Sequence, residues 1–185
     1  TGPDYIRDQI GYIRSQTAQP FGVGFITHFI PLAPQNFDTV LEEKVPVVLS
    51  SFADPHPWVR RAKESGALTV CQVQTLEAAQ RAVAAGADIL AAQGNEAGGH
   101  TGAMHLLPFL VRLIEEFPTI PVIAAGGIAN GRSLAAVLAA GAEGAWVGTA
   151  FVATQENTEV PEIHKTRIVQ LNGADTVYTE VMDII

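Results

Sequence analysis

The chain of 185 residues has the length of one domain and carries a formal net charge of −8. This acidic balance makes nucleic acid and anionic membranes unlikely partners. No apolar run approaches the roughly 18 residues that a membrane span needs, and charged residues stand where a signal peptide has its apolar core. The single cysteine, Cys71, excludes an internal disulfide. We therefore expect a cytoplasmic protein whose stability comes from its core.

Apolar runs typical of strands alternate with segments of helical spacing along the whole chain. Strands are predicted over residues 21–27, 45–52, 68–73, 87–92, 121–125 and 144–151, and helices over residues 4–15, 35–43, 57–65, 75–85, 106–117, 133–139 and 162–171. A helix end, a glycine, an alanine and a new strand recur together at residues 65–67, 85–87 and 140–142. Each of these glycines is expected to be left-handed and to end its helix. Short apolar strands of this kind predict a parallel sheet that is buried on both faces.

Two α/β architectures compete for this pattern, an open doubly wound sheet and a (β/α)8 TIM barrel. A dinucleotide-binding sheet carries Gly-x-Gly-x-x-Gly after its first strand. Here Gly22 and Gly24 are followed by Thr27 where the third glycine belongs. The barrel is favoured, and since six strands do not close one, we expect a partial barrel over residues 1–154. Residues 155–185 are predicted to form a C-terminal extension that begins an appended helical segment, and the apolar end of the chain suggests a piece of a longer protein.

The segment 93–102, Gln-Gly-Asn-Glu-Ala-Gly-Gly-His-Thr-Gly, follows an apolar strand and predicts a ligand-binding loop. Its four glycines allow a backbone to approach a ligand closely, and its polar side chains supply hydrogen-bonding groups. Parallel α/β proteins build their ligand sites in loops of this kind. A flexible surface turn is the alternative interpretation.

A second glycine-rich segment, residues 124–131, leaves a strand and enters a helix, where backbone N–H groups favour an anion. One repeat later, residues 146–149 again place small residues at a strand end. In barrels, neighbouring loops near the last strands often hold a phosphate, and Arg132 would assist. The alternative is that Gly126 and Gly127 are only turn residues. His100 and His105 have no third ligand at metal spacing, so no metal site is predicted.

These two segments together resemble the nitronate monooxygenase family, formerly called 2-nitropropane dioxygenases. The runs QGNEAGGHTG and PVIAAGGIANGRSLAAVLAAGAEGAWVGTAF carry the resemblance, which covers about residues 21–154. The family consists of FMN-dependent (β/α)8 barrels that are also similar to FMN-containing enoyl-acyl-carrier reductases. The resemblance implies that the flavin is contacted by Gln93, Gly98 and Gly99, and that its ribityl phosphate is held by Gly126, Gly127, Trp146, Val147, Gly148 and Thr149.

The resemblance also implies an activity, the oxidation of alkyl nitronates by molecular oxygen to a carbonyl compound and nitrite. His100 is the candidate for a group that hydrogen-bonds the anionic substrate. Two departures from the family pattern matter. The first two barrel strands have no counterpart, and Ser51 stands where many members carry a catalytic histidine; a serine is a poor base without a partner. An NADH-dependent flavin reductase acting on an enoyl thioester or quinone, and a non-catalytic flavin- or phosphate-binding fragment, remain alternatives, and a homo-oligomer stays open.

Overall fold

The computed structural model describes residues 2–179 and 181, which form a parallel sheet covered by helices. The strands are β1 (Gly22–Ile26), β2 (Val47–Ser51), β3 (Leu68–Val73), β4 (Ile89–Gln93), β5 (Val122–Ala125) and β6 (Gly144–Trp146). The α-helices of the described residues are α1 (Pro3–Gln16), α2 (Pro34–Glu42), α3 (His56–Glu64), α4 (Leu76–Ala84), α5 (Leu106–Glu116), α6 (Gly131–Ala139), α7 (Thr149–Val152) and α8 (Glu162–Gln170). Two 3-10 helices cover Thr27–Leu32 and Gly173–Asp175. Among the helices so described, none is long and apolar enough to cross a membrane.

The order of the strands decides between the two architectures. All five neighbouring pairs are parallel, and the spatial order β1-β2-β3-β4-β5-β6 follows the chain without a reversal. A doubly wound sheet reverses its strand order at a switch point, whereas a (β/α) barrel adds each strand on the same side of the last. The chain therefore forms part of a (β/α)8 barrel, as predicted. The sheet is open, with β1 and β6 at its edges.

The predicted last strand is wrong in its length. The sequence pattern predicts a strand over residues 144–151, but β6 ends at Trp146 and Thr149 already begins α7. A short apolar run with β-branched residues fits a strand and a buried helix equally well, so periodicity alone does not separate them. The 3-10 helix Thr27–Leu32 was also not predicted. The helix predicted over 162–171 is confirmed as α8, while the domain boundary near residue 154 stays a prediction.

The core lies between the outer face of the sheet and the helices, in two clusters. The larger cluster packs the β3–β5 faces against α4 and α5, with Leu90, Phe109 and Leu113 fully buried. The smaller cluster packs the β1–β2 faces against the first three helices, where the rings of Phe37 and Trp58 lie 5.3 Å apart. Each such side chain contributes about 1.5–3 kcal/mol when it is fully buried. The strand residues of these clusters share the outer face of the sheet, so the alternate residues, among them Leu49, Val70 and Ile123, lie on its inner face.

Asp88 ties β3, β4 and α3 together at the amino-terminal rim. One carboxylate oxygen accepts hydrogen bonds from the Thr69 N–H (2.9 Å) and hydroxyl (2.6 Å), and the other from Lys63 Nζ (2.6 Å). Burial opposes ionisation, but the hydrogen bonds from Lys63 and Thr69 outweigh it and hold the pKa of Asp88 below its ordinary value. The carboxylate therefore contributes stability above an ordinary pKa of about 4, and that contribution is lost as the pH falls through the lower folded-state pKa.

Asp88→Asn is expected to lower the free energy of unfolding at neutral pH by about 1–2 kcal/mol, since charge-assisted hydrogen bonds become weaker or are lost. Urea unfolding at pH values of about 7 and about 3 measures the effect, and the gap between parent and variant should shrink at the lower pH. Glu143→Gln is the matched control, because Glu143 holds the same place in the third repeat but is exposed. A gap that is constant with pH would contradict this role of the Asp88 charge.

Candidate functional site

The loops that follow β4, β5 and β6 meet at the carboxyl-terminal rim of the sheet. The strand register pairs Gln93 with Ala125 and Ala125 with Trp146, so the three strands end at the same level. A Cβ atom on Gly98 would lie 2.6 Å from Thr149 Oγ1, so a side chain there would require the Thr149 hydroxyl to move. The loop after β4 therefore lies close to the start of α7.

The Gly126–Gly127 turn also lies against the loop after β4. Gly126 has a φ of +117°, and a Cβ there would lie 3.0 Å from the Ala97 nitrogen. Gly127 has a φ of +64°, and a Cβ there would lie 3.3 Å from the Cβ of Glu96. Both φ values favour glycine, and an added Cβ at either position would crowd the loop after β4. The two glycine-rich segments singled out in the sequence thus form one continuous surface, whereas Gly99 and Gly148 face open space.

The loop after β4 is held by its own polar groups, which disfavours the flexible-turn interpretation. The Glu96 carboxylate accepts from the Leu106 N–H at 3.0 Å and so caps the first turn of α5. Its other oxygen lies 3.7 Å from His105 Nδ1. The Asn95 N–H donates to the Met104 carbonyl at 2.8 Å, which closes the loop at its base. Glu96 therefore positions the loop, a role that its place in the sequence did not reveal.

Gln93 is buried, with 6% of its surface exposed, and its side-chain amide is engaged by protein groups. Its Nε2 donates to the His100 carbonyl at 3.1 Å, and its Oε1 accepts from Gln74 Nε2 at 2.7 Å. Gln93 thus fixes the tip of the glycine-rich loop, and its contact with a flavin stays a prediction. Gln74, the residue that follows β3, was missed by the sequence reading; its position just past a strand was the available signal.

The helix end after the Gly126–Gly127 turn is already capped. Asn130 Oδ1 accepts from the Arg132 and Ser133 N–H groups at 2.9 and 3.1 Å, and Ser133 Oγ accepts from the Ala129 N–H at 3.1 Å. These amides are therefore not available to an anion, contrary to the expectation that the start of α6 would point them at a phosphate. Arg132 is exposed.

Trp146 and Val147 lie on opposite faces of the sheet end. Trp146 continues the inner face of β6, while the side chain of Val147 packs against the larger core cluster. Any contact between Val147 and a ligand must therefore come from its backbone. Gly148 and Thr149 are exposed at the rim and begin α7. The predicted phosphate residues thus lie on one rim, and they offer backbone and hydroxyl groups there.

Ser51, the last residue of β2, is committed to a hydrogen bond along the rim. Its hydroxyl donates to Gln72 Oε1 at 2.7 Å, and an amide oxygen does not accept a proton for catalysis. Ser51 therefore has no partner base at Gln72. The two following residues, Phe52 and Ala53, are left-handed, with φ of +62° and +57°. Such a conformation costs about 1–2 kcal/mol per non-glycine residue and occurs preferentially at functional sites.

A cleft of about 530 Å³ opens beside this strained turn. Its walls near the rim include His28, His100 and Gln72, and the rings of Phe52 and His100 lie 6.2 Å apart in an edge-to-face arrangement. Cys71 lines the cleft deeper down and is 2% exposed. Burial raises the pKa of the Cys71 thiol, although a hydrogen bond with Ser50 partly opposes the shift. A neutral, buried thiol is not a nucleophile, so Cys71 serves as a core residue.

The fold and the position of this rim define a (β/α)-barrel protein with a ligand site at the carboxyl ends of its strands. The family model for nitronate monooxygenase matches residues 30–183, and the chain belongs to that family of flavin-dependent oxidoreductases. The structure of FabK from Thermotoga maritima is 39% identical with a TM-score of 0.90, and the match covers 97% of this chain and 57% of that chain.

Two further relatives carry informative names. A nitroalkane oxidase structure from Streptomyces ansochromogenes is 33% identical with a TM-score of 0.79. The match covers 90% of this chain and 60% of the nitroalkane oxidase chain. A (3aS,4S,5R,7aS)-5-hydroxy-7a-methyl-1-oxo-octahydro-1H-indene-4-carboxyl-CoA dehydrogenase from Mycobacterium tuberculosis is 34% identical over 97% of this chain and 51% of its own length. The chain spans about half the length of the curated relatives it matches.

Proposed function

We propose that the protein is an FMN-dependent oxidoreductase that oxidises alkyl nitronates with molecular oxygen, giving a carbonyl compound and nitrite. The observation that carries this proposal is the meeting of Gly98, Gly127 and Thr149 from three strand ends at one rim. The family's flavin dependence and the similarity to a nitroalkane oxidase support it.

The residues at the rim fit the two ends of FMN. Gly127, Gly148 and Thr149 offer exposed backbone and a hydroxyl for the ribityl phosphate, with Arg132 nearby along the chain to balance its charge. Gly98 and Gly99 leave a side-chain-free surface over which a planar ring system can lie. When bound, the flavin accepts electrons from the substrate and passes them to oxygen. The protein supplies the orientation and the electrostatics of that reaction.

The substrate anion is proposed to bind beside His100. The imidazole lines the cleft at the rim and is positioned by Phe52 on its edge, while Gln93 holds its backbone carbonyl. A nitronate arrives without its carbon-bound proton, so the site needs a hydrogen-bond donor for the anion and no general base. The Ser51 hydroxyl already donates to Gln72 and supplies no base, which agrees with a substrate that needs none.

A second candidate function is the oxidation or reduction of an acyl thioester. The relative named as a carboxyl-CoA dehydrogenase favours it, because its match covers nearly the whole chain. The same flavin site would serve both reactions, and the cleft would then receive an acyl group. Oxygen consumption with nitronates separates the two functions, since a thioester enzyme has no need to recognise a nitronate.

The experiment is steady-state oxygen uptake by the purified protein with an alkyl nitronate, together with nitrite release. His100→Gln should lower kcat/KM by roughly ten- to hundredfold, which corresponds to about 1.5–3 kcal/mol for one lost charge-assisted hydrogen bond. His105→Gln is the matched control, because this histidine lies in the same loop but is exposed and does not line the cleft. Equal losses in the two variants, or no oxygen uptake in the parent, would contradict the proposal.

A further inference from the structure

The cleft extends well beyond the rim at which the reaction is proposed. It descends from His100 between the outer face of β2–β3 and the helix α4. Thr75, Ala78 and Ala82 line it in turn, and at 1.5 Å per residue the last two lie about 6 Å apart along the helix. Its deeper end therefore lies in the layer between sheet and helices, where a barrel is normally filled by its core.

The deeper part of the cleft is lined by apolar and small side chains. Its walls there are formed by Ala78 and Ala82 of α4 and by Ser50, Cys71 and Val73 of the sheet, while Phe52, which follows β2 at the rim, lies beside His100. The small size of Ala78 keeps the space open, since a larger side chain there would fill it, whereas Ala82 is fully buried beneath the cleft. Arg81, which is exposed, marks the edge that opens to solvent. A ligand that enters from the rim meets polar groups first and an apolar wall afterwards.

The volume is far larger than a small nitronate needs. A cleft of about 530 Å³ lies within the 300–1,000 Å³ typical of sites for drug-sized ligands. At about 30 Å³ for each water displaced, it has room for well over ten waters. A two- or three-carbon nitronate would leave most of it filled with water against apolar walls. The excess space is thus suited to a second part of the substrate.

We infer that the substrate carries a long or bulky apolar group, which packs between Phe52 and α4 while its charged end lies at His100. This inference rests on the proposed function and names the substrate class for it. Each methylene group removed from water strengthens binding by roughly fourfold. Binding should therefore increase with chain length until the cleft is filled, and Phe52 and Ala78 become specificity-determining residues.

The test compares a short and a long ligand in the parent and in Ala78→Leu. Calorimetry with unreactive n-alkyl carboxamides of four and ten carbons measures binding without any turnover. We expect at least tenfold tighter binding of the longer amide to the parent, with a negative heat-capacity change. Ala78→Leu should remove most of that preference and leave the short amide unchanged. Ala84→Leu is the matched control, because Ala84 lies on the same helix, is exposed and does not line the cleft.

Equal affinity for both amides, or equal effects of Ala78→Leu and Ala84→Leu, would overturn the inference. A parallel kinetic series with ethyl and octyl nitronates should show a lower KM for the longer substrate in the parent alone. Chain-length-dependent binding without any nitronate oxidation would overturn the proposed function while supporting the apolar site. A failure of the apolar site and a failure of the proposed function therefore give different results.

Discussion

Gly127→Asp is expected to lower the affinity for flavin roughly ten- to hundredfold relative to Gly127→Asn. The added carboxylate would lie beside the proposed position of the FMN phosphate and would repel it. The repulsion would replace one charge-assisted hydrogen bond, which contributes about 1.5–3 kcal/mol to binding. Asparagine has nearly the same shape and tolerates the left-handed φ of +64° at this position. The comparison therefore separates the charge from the strain of adding a side chain.

The measurement is flavin content after heat release, together with the dissociation constant from fluorescence quenching. Both variants share the contact that a Cβ makes 3.3 Å from Glu96, so they should lose similar amounts of stability. Equal flavin binding in the Asp and Asn variants would contradict the placement of the phosphate beside Gly127.

Ser51→His is expected to give activity on neutral nitroalkanes, which the parent should oxidise poorly. A nitroalkane must lose a carbon-bound proton before oxidation, and general-base catalysis of such a step typically contributes about 10²–10⁴-fold. The parent has a serine whose hydroxyl is held by Gln72 Oε1 at this position. An imidazole there would supply a base with a pKa near neutrality.

Steady-state oxygen consumption with the nitroalkane and nitronate forms of one compound measures this effect. Ser51→Ala is the control, because it removes the hydrogen bond to Gln72 without adding a base. We expect the ratio of kcat/KM for nitroalkane to that for nitronate to rise only in Ser51→His. Comparable kcat/KM for the two forms in the parent would show that another residue, such as His100 or His28, already acts as the base.

The barrel was predictable because the sequence repeats its structural unit. The three glycines that the pattern placed at helix ends, Gly66, Gly86 and Gly141, are all left-handed, with φ of +88°, +91° and +100°. Each directs the chain from a helix into the next strand. Because the same connection occurs three times, each new strand is added on the same side of the previous one. The strand order then follows from the chain order, so local signals sufficed.

The sequence predicted where the site lies but only part of the contacts that hold it together. The glycines of the two segments are brought together as expected, since strand ends of a parallel sheet share one rim. The role of Glu96 was not predictable, because its side chain caps a helix ten residues further on with a geometry that only the folded loop creates. The cap by Asn130 is local, and asparagine directly before a helix was the available signal. The left-handed Phe52 and Ala53 carry no sequence signal, since neither residue favours that conformation.

The most direct test of the account is the visible absorption spectrum of the purified protein under anaerobic mixing with an alkyl nitronate. We predict that the oxidised-flavin band is present, bleaches on mixing with the nitronate and returns when oxygen is admitted. A protein without a flavin band would contradict the cofactor site at the rim of β4–β6. A band that nitronate leaves unchanged, but that NADH or an acyl thioester bleaches, would contradict the proposed reaction.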